Sequence, residues 1–321
     1  TIDFSALLTA KGCSAMKVKD PYTHTRCGCE WCRIAKAQKT PHLRNRGGWS
    51  PELFPGDLII GDLCTGWFPS QDGETVALVL KDAASGLKYV KALKSKVPEG
   101  VRSGLSEFRL MLIDFRAWSG MPPPERPFVF HTDRGGEFGG KALLDWVAQQ
   151  GGVMKLAPKG AHVSIAEQTV RDVLQGTRVG CYSAGLRASW WPFAARQHVH
   201  NANMNVEGFA EFKKSQGKPH TQEVFGRLIY FKPDDDLKPP KGFPTTLPGC
   251  FLGYDLEMSR GIWAAFYRPD GKVWKAKVPE KEPTLNLTTV DVGRTGHGIV
   301  WAEPGPDGEP RMAFKRIAQD L

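Results

Sequence analysis

Apolar residues fall into short runs along the first half of this chain, then switch to helical spacing. Leu58–Leu63, Thr75–Leu80 and Leu87–Leu93 are rich in Leu, Ile and Val. They are joined by the turn sequences Gln71-Asp-Gly73 and Ala84-Ser-Gly86, and predict three consecutive strands. Over 101–118, Leu105, Phe108, Leu112 and Phe115 recur at intervals of three and four, which predicts a helix with one buried stripe. Pro122, Pro123 and Pro124 stop it. A strand at 127–132, a helix at about 139–149, a strand at Val153–Leu156 and a long helix from Glu167 follow. Strands first, then alternating helices and strands, predict an α/β core over residues 56–185.

The flanks read differently. Residues 1–55 hold a cysteine cluster and a basic, turn-rich strap with Lys36, Lys39, Arg44, Arg46 and Gly47-Gly48. Residues 186–247 begin as a helix with Trp190-Trp191-Pro192-Phe193, whose tryptophans are expected in the core, and end in a linker rich in Pro, Lys and Asp. Residues 248–321 show short strands with turns at Gly253 and Pro269-Asp-Gly271. They predict a small β-barrel followed by an extended Gly- and Pro-rich tail. No internal repeat is present.

Composition narrows the class. The 321 residues, 41% hydrophobic and 24% charged, suit an ordinary folded protein of about two domains. A net charge of +9 favours an anionic partner. There is no run of 18 apolar residues, and the first residues lack the charged-then-apolar order of a secretory leader. The start at Thr1 suggests a piece of a larger polyprotein. Seven cysteines, four of them within the first 32 residues, fit a reduced compartment and a metal-binding amino end better than a disulfide framework.

Three carboxylates carry the candidate chemistry. Asp62 ends one apolar run, Asp133 ends another just before Gly135-Gly136, and Glu167 opens a helix. A carboxylate at the end of a buried strand is costly unless a cation meets it. Oxygen ligands of this kind suit Mg²⁺ or Mn²⁺. Two such ions, roughly 3.5–4 Å apart, clamp the attacking and leaving oxygens of phosphoryl transfer. Glu137 is a rival third ligand; Asp82 and Asp145 rank lower, as turn and solvent-facing residues. Arg171 and Arg178 share one side of the last helix, and Lys155 and Lys159 precede it; all four are candidates for phosphate contact. Cys29-Glu-Trp-Cys32 has the gap of a zinc knuckle, and Cys13 with His24 could complete four ligands, Cys27 being a substitute. His198 and His200 read as surface or core residues rather than ligands.

These residues stand within a series of motifs. Asp62, His131-Thr-Asp-Arg-Gly-Gly-Glu-Phe138 and Ala166-Glu167 resemble the Asp, Asp, Glu signature of retroviral-type integrases. Asp82-Ala-Ala-Ser-Gly86, CEWCRIAKAQKTPH (29–42), GKPHTQEVFGRLIYF (217–231), PGCFLGYDL (248–256) and GIWAAFYRPDGKVW (261–274) resemble, in order, segments of the copia-type retrotransposon branch. The resemblance implies an RNase H-like catalytic core with Asp62, Asp133 and Glu167 as catalytic metal ligands for Mg²⁺ or Mn²⁺. It also implies an amino-terminal zinc site, in which two upstream histidines join the cysteine pair. The implied activity is metal-dependent joining of element cDNA ends to target DNA by transesterification. The implied partners are double-stranded DNA and further copies of the chain, and the implied locations are the nucleus and the retrotransposon particle. Three features depart from the family pattern. Arg134 replaces the usual Asn, no Asn-Gly precedes Glu167, and Gln168 stands where Arg is usual. The spacing from Asp133 to Glu167 is also short. The alternative they leave open is a degenerate or domesticated relative that binds DNA without catalysing.

Overall fold

The computed structural model describes residues 53–133, 138, 140–157, 163–184, 186–231, 247–255, 261–267, 273–279, 297–301 and 312–316. At its centre is strand β1, Leu58–Cys64. Leu58, Ile59 and Ile60 are all buried, so an unbroken apolar run, rather than an alternating one, marks a strand covered on both faces. Strands β2 (Val76–Asp82) and β3 (Lys88–Leu93) follow as an antiparallel meander. Strands β4 (Phe128–Thr132) and β5 (Gly152–Leu156) add in parallel on the other side of β1. The sheet order is β3-β2-β1-β4-β5. Three antiparallel strands continued by two parallel ones is the order that the RNase H-like expectation requires.

Helix α1, Pro98–Trp118, covers one face. Pro98 suits the first turn because its missing N–H would have no helical partner there. Val101, Leu105, Phe108, Leu112 and Phe115 form the expected stripe, and pack with Ile59, Leu78, Leu80, Phe128 and Phe130. Helix α2 (Lys141–Gln149) adds Leu143 and Val147 to the same core. An ion pair between the buried Arg116 Nη1 and the half-buried Asp57 Oδ1, at 2.6 Å, ties the end of α1 to the start of β1.

The opposite face is covered by α3 (Ser164–Ser183) and α4 (Trp191–Asn203). Val173 of α3, with Trp191, Ala195 and Val199 of α4, packs on Ala77, Val79 and Val90. Trp190 and Trp191 are both core residues, as expected. Helices α3 and α4 touch closely at Gly176, where a Cβ would come within 2.1 Å of His198 Nδ1. The region between that first helix and the linker contains a further helix, α5 (Phe209–Ser215). Its Phe209 and Phe212 close the α1 core against Phe115 and Trp118.

The carboxyl-terminal region departs from expectation. Its sheet begins at β6 (Leu228–Phe231), inside the segment assigned to the helical extension, and continues through β7 (Leu247–Asp255), β8 (Gly261–Tyr267) and β9 (Val273–Pro279). The order is β6-β7-β8-β9, antiparallel throughout, so among the described residues it is an open meander and not a closed barrel. Its inner side meets α4, with Trp263 edge-on to Phe193 at 5.6 Å. The expected extended tail holds a separate antiparallel pair, β10 (His297–Trp301) with β11 (Met312–Arg316). Among the described residues, no helix is long and apolar enough to cross a membrane.

Candidate functional site

The register of β1 with β4 decides where the first two carboxylates lie. The pairs run from Leu58↔Val129 to Gly61↔Thr132. Asp62 and Asp133 are the next residues on each strand, so they leave neighbouring parallel strands at one level. Side chains alternate along a strand, which puts Asp62 on the face of Leu58 and Ile60, and Asp133 on that of Val129. Leu58, Ile60 and Val129 share a cluster with Val163 and Ala166, at the start of α3. Cys64, the next residue on Asp62's side of β1, shares a cluster with Val170. Glu167 therefore belongs to the helix turn that covers the stretch of β1 bearing Asp62. All three carboxylates are half-buried. Asp62 Oδ1 accepts the Leu63 N–H at 2.7 Å. Glu167 sits in the first turn of its helix, where the unpaired N–H groups favour negative charge.

Gly61, beside Asp62, is a packing requirement. A Cβ there would meet Leu80 Cδ2 at 2.6 Å and Phe130 Cε2 at 2.7 Å. The aromatic core under α1 thus occupies the space of a side chain next to the carboxylate.

Basic and soft groups stand on the same elements. Lys155 is exposed on the edge strand β5, in register with His131 of β4. Burial lowers the His131 pKa, and Lys155 lowers it further. Arg171 and Arg178 are both exposed on α3, two turns apart and so on one side. Burial pushes the Cys64 thiol up; Asp62 adds to this, while Trp67 and Arg178 pull against it.

The chemistry of the donor set, all carboxylate oxygen, fits a hard divalent cation. Among the described residues, however, no three His, Cys, Asp or Glu side chains are gathered tightly enough to hold one. Asp62 and Asp133 share a level, and Glu167 lies in the first turn of the helix whose start packs on Leu58, Ile60 and Val129. The rival Glu137, the variant Arg134 and Lys159 lie outside the described residues, as do Cys13, His24, Cys27, Cys29 and Cys32.

The remaining candidates resolve into structure. Asp145 is exposed. Asp82 is buried and holds the β2–β3 turn. Its carboxylate accepts N–H groups from Gly56 at 2.9 Å and Ser85 at 2.7 Å, and the Ser85 hydroxyl at 2.7 Å. Burial raises its pKa, against those hydrogen bonds. His200 donates from Nε2 to the Thr221 carbonyl at 3.0 Å, and burial brings its pKa down to about 4. His198 meets Asp172 Oδ2 at 3.4 Å, and Lys88 Nζ meets the same oxygen at 2.6 Å. Burial works to raise the Asp172 pKa, but His198 and Lys88 hold it well below the usual carboxylate range. Sequence reading missed Asp172 as the tie between α3, α4 and β3. Nothing local announces a partner 84 residues away.

No protein-family model matches this chain, and no curated protein does. Similar solved structures are the HTLV-2 integrase catalytic core domain in complex with magnesium, in a trimeric and a dimeric form, and the catalytic core domain of BIV integrase. The trimeric HTLV-2 form is 14% identical, with 48% of this chain and 88% of that one covered, at a TM-score of 0.34. The dimeric form is 14% identical over 48% and 89%, also at 0.34. The BIV core is 12% identical over 50% and 98%, at 0.35. Likenesses this distant say nothing of activity.

Proposed function

We propose that this chain is a copia-type retrotransposon integrase that joins element cDNA ends to target DNA. The observation that carries this reading is the common level of Asp62 and Asp133 on neighbouring parallel strands, under the helix turn that bears Glu167. Asp62, Asp133 and Glu167 would hold Mg²⁺ or Mn²⁺, which when bound stabilises charge on the attacking and leaving oxygens at phosphorus. Arg171, Arg178 and Lys155, together with Lys159, bind and orient the phosphates around that point. Their contacts give affinity with little sequence preference. Further copies of the chain complete the assembly on DNA, and the element particle and the nucleus are where it acts. A zinc ion on Cys29 and Cys32, with His24 and Cys13 or with histidines upstream, belongs to the same proposal.

Binding and chemistry separate under mutation. Asp133→Asn removes a metal ligand and leaves the basic surface intact. It is expected to abolish Mg²⁺-dependent strand transfer of a DNA 3′-hydroxyl while duplex affinity stays nearly unchanged. Arg171→Ala and Arg178→Ala weaken binding on all sequences and lower its salt dependence by about one counterion per lost contact. Full strand transfer by Asp133→Asn overturns the assignment. Duplex binding without strand transfer by the wild type favours a DNA-binding relative that has lost catalysis, the reading that Arg134 and the missing Asn-Gly motivate.

A further inference from the structure

Helix α1 is finished before the prolines that follow it. Its last residue is Trp118, and the Ser119 N–H donates to the Phe115 carbonyl at 3.0 Å. Gly120 then makes a left-handed turn at φ 70, and the Met121 N–H closes back on the Arg116 carbonyl at 3.1 Å. That is a complete helix cap. Pro122, Pro123 and Pro124 come after it, so the helix does not need all three in order to stop. They do not serve the core either, since every residue from 122 to 127 is exposed.

Proline geometry sets how this run lies. Each ring holds φ near about −65°, and a residue that precedes a proline is pushed to extended backbone. Met121, Pro122 and Pro123 each precede one. Residues 122–124 therefore form one turn of polyproline II helix, roughly 9 Å long at about 3.1 Å per residue. Arg116 fastens this turn from inside. It is 3% exposed. Its Nε donates to the Pro122 carbonyl, its Nη2 to the Pro123 carbonyl at 3.2 Å, and its Nη1 pairs with Asp57. A buried guanidinium thus holds the backbone side of the turn while the pyrrolidine rings stand in water. The chain bends at Arg126, itself exposed, and enters β4.

The chemistry of this ridge indicates what can cover it. The turn offers apolar rings and carbonyl oxygens, with no N–H among its three residues. A sheet edge, which needs donors as well as acceptors, is therefore a poor partner for it. Flat aromatic side chains suit it: they stack on the rings, and an indole or phenol donates to a carbonyl. The turn is already ordered, so docking loses little chain entropy. Arg126 ends the run with a planar cation that a carboxylate can meet with two hydrogen bonds, which gives a bound groove a direction.

We propose that residues 122–126 are a docking ridge for a partner protein whose groove is lined by aromatic side chains and flanked by a carboxylate that takes Arg126. The inference goes beyond the DNA-joining reading and does not depend on it.

The test is calorimetric titration of the full chain with three purified proline-recognition modules, an SH3, a WW and an EVH1 domain. Each is chosen with an acidic pocket beside its aromatic groove. At least one binds, and a free deca-proline peptide displaces it. Replacing Pro123 and Pro124 together by Ala weakens that binding by about tenfold or more, and Arg126→Glu weakens it by about tenfold, as for central residues of an interface. Because the rings are exposed, the double proline variant melts within about 4 °C of the wild type. Binding to none of the three modules overturns the ridge. So does binding that deca-proline leaves in place, or that the proline variant retains in full. A double variant that melts far below the wild type also overturns it, because the rings would then belong to the fold.

Discussion

The two faces of the central sheet are built from the same strands and differ in what stands among their apolar residues. Toward α1, the strands present Ile59, Leu63, Val76, Leu78, Leu80, Leu93, Phe128 and Phe130, and the helices answer with Phe108, Leu112, Leu143, Phe209 and Phe212. Toward α3, alternation along the strands presents Asp62 and Cys64 on β1, Lys81 on β2, Lys88 on β3, His131 on β4 and Lys155 on β5. Burial depresses the Lys81 pKa, and Lys88 beside it adds to the effect, so this face holds charge in partly dry surroundings. Both faces bury apolar side chains, but on the α3 side the polar groups stand among Leu58, Ile60, Val79 and Val90. The lesson is a division of labour read at single-residue spacing: on β1, Gly61 belongs to the first face and Asp62 to the second.

Mutations can break this contrast. The largest effect on stability falls on the apolar face. Phe108→Ala empties the centre of the α1 core and is expected to cost about 3–5 kcal/mol in a denaturant titration. A loss below about 1 kcal/mol would mean that this face is not the main support. On the other face, Asp172→Asn breaks the ties to Lys88 and His198 at a carboxylate whose side chain is 43% exposed. Screening by solvent keeps the expected loss to about 0.5–1 kcal/mol. A loss as large as that of Phe108→Ala would erase the distinction.

The smallest expected effect concerns pH and the far side of α4. An unfolded chain titrates a histidine near about 6.5, whereas folded His200 titrates at about 4. Between these values the unfolded state takes up a proton that the folded state refuses, so stability falls as pH drops through that window. His200→Gln should flatten this part of the stability–pH curve. Asp172 acts lower: its depressed pKa gives stability that is present above about pH 4 and lost as acid protonates it in the folded state. Melting temperatures of the wild type and His200→Gln at pH 7 and pH 5 check the first window. A wild-type melting temperature that falls no further than that of His200→Gln between pH 7 and pH 5 would overturn this sign.

Much of the fold was legible because its signals are local. The stripe over 101–118 yielded α1, needing only the three-residue extension to Pro98. The apolar runs yielded all five strands of the central sheet to within a residue or two. Asp62, Asp133 and Glu167 stood out because strand ends and a helix start can be recognised from the pattern that flanks them. What was not legible depends on partners distant in sequence. Helix α5 is seven residues long, too short for periodicity to show, and exists because Phe209 and Phe212 fill a gap beside Phe115. Strand β6 is only four residues long and pairs across a linker with β7. Asp82 looked like a turn residue and is one, but its bond to Gly56, 26 residues earlier, could not be foreseen.

The contact at Gly176 has a mechanical meaning. His198 occupies the volume that any side chain at that position would need, so α3 and α4 mesh like a tooth and a notch. Helix α4 also backs the second sheet through Phe193 and Trp263, and Lys275 of β9 reaches across to Asp72 in the turn between β1 and β2. Helix α3 is thereby keyed to α4, which is packed in turn against the second sheet. The bare α-carbon of Gly176 thus links, through α4, the helix that opens with Glu167 to the second sheet.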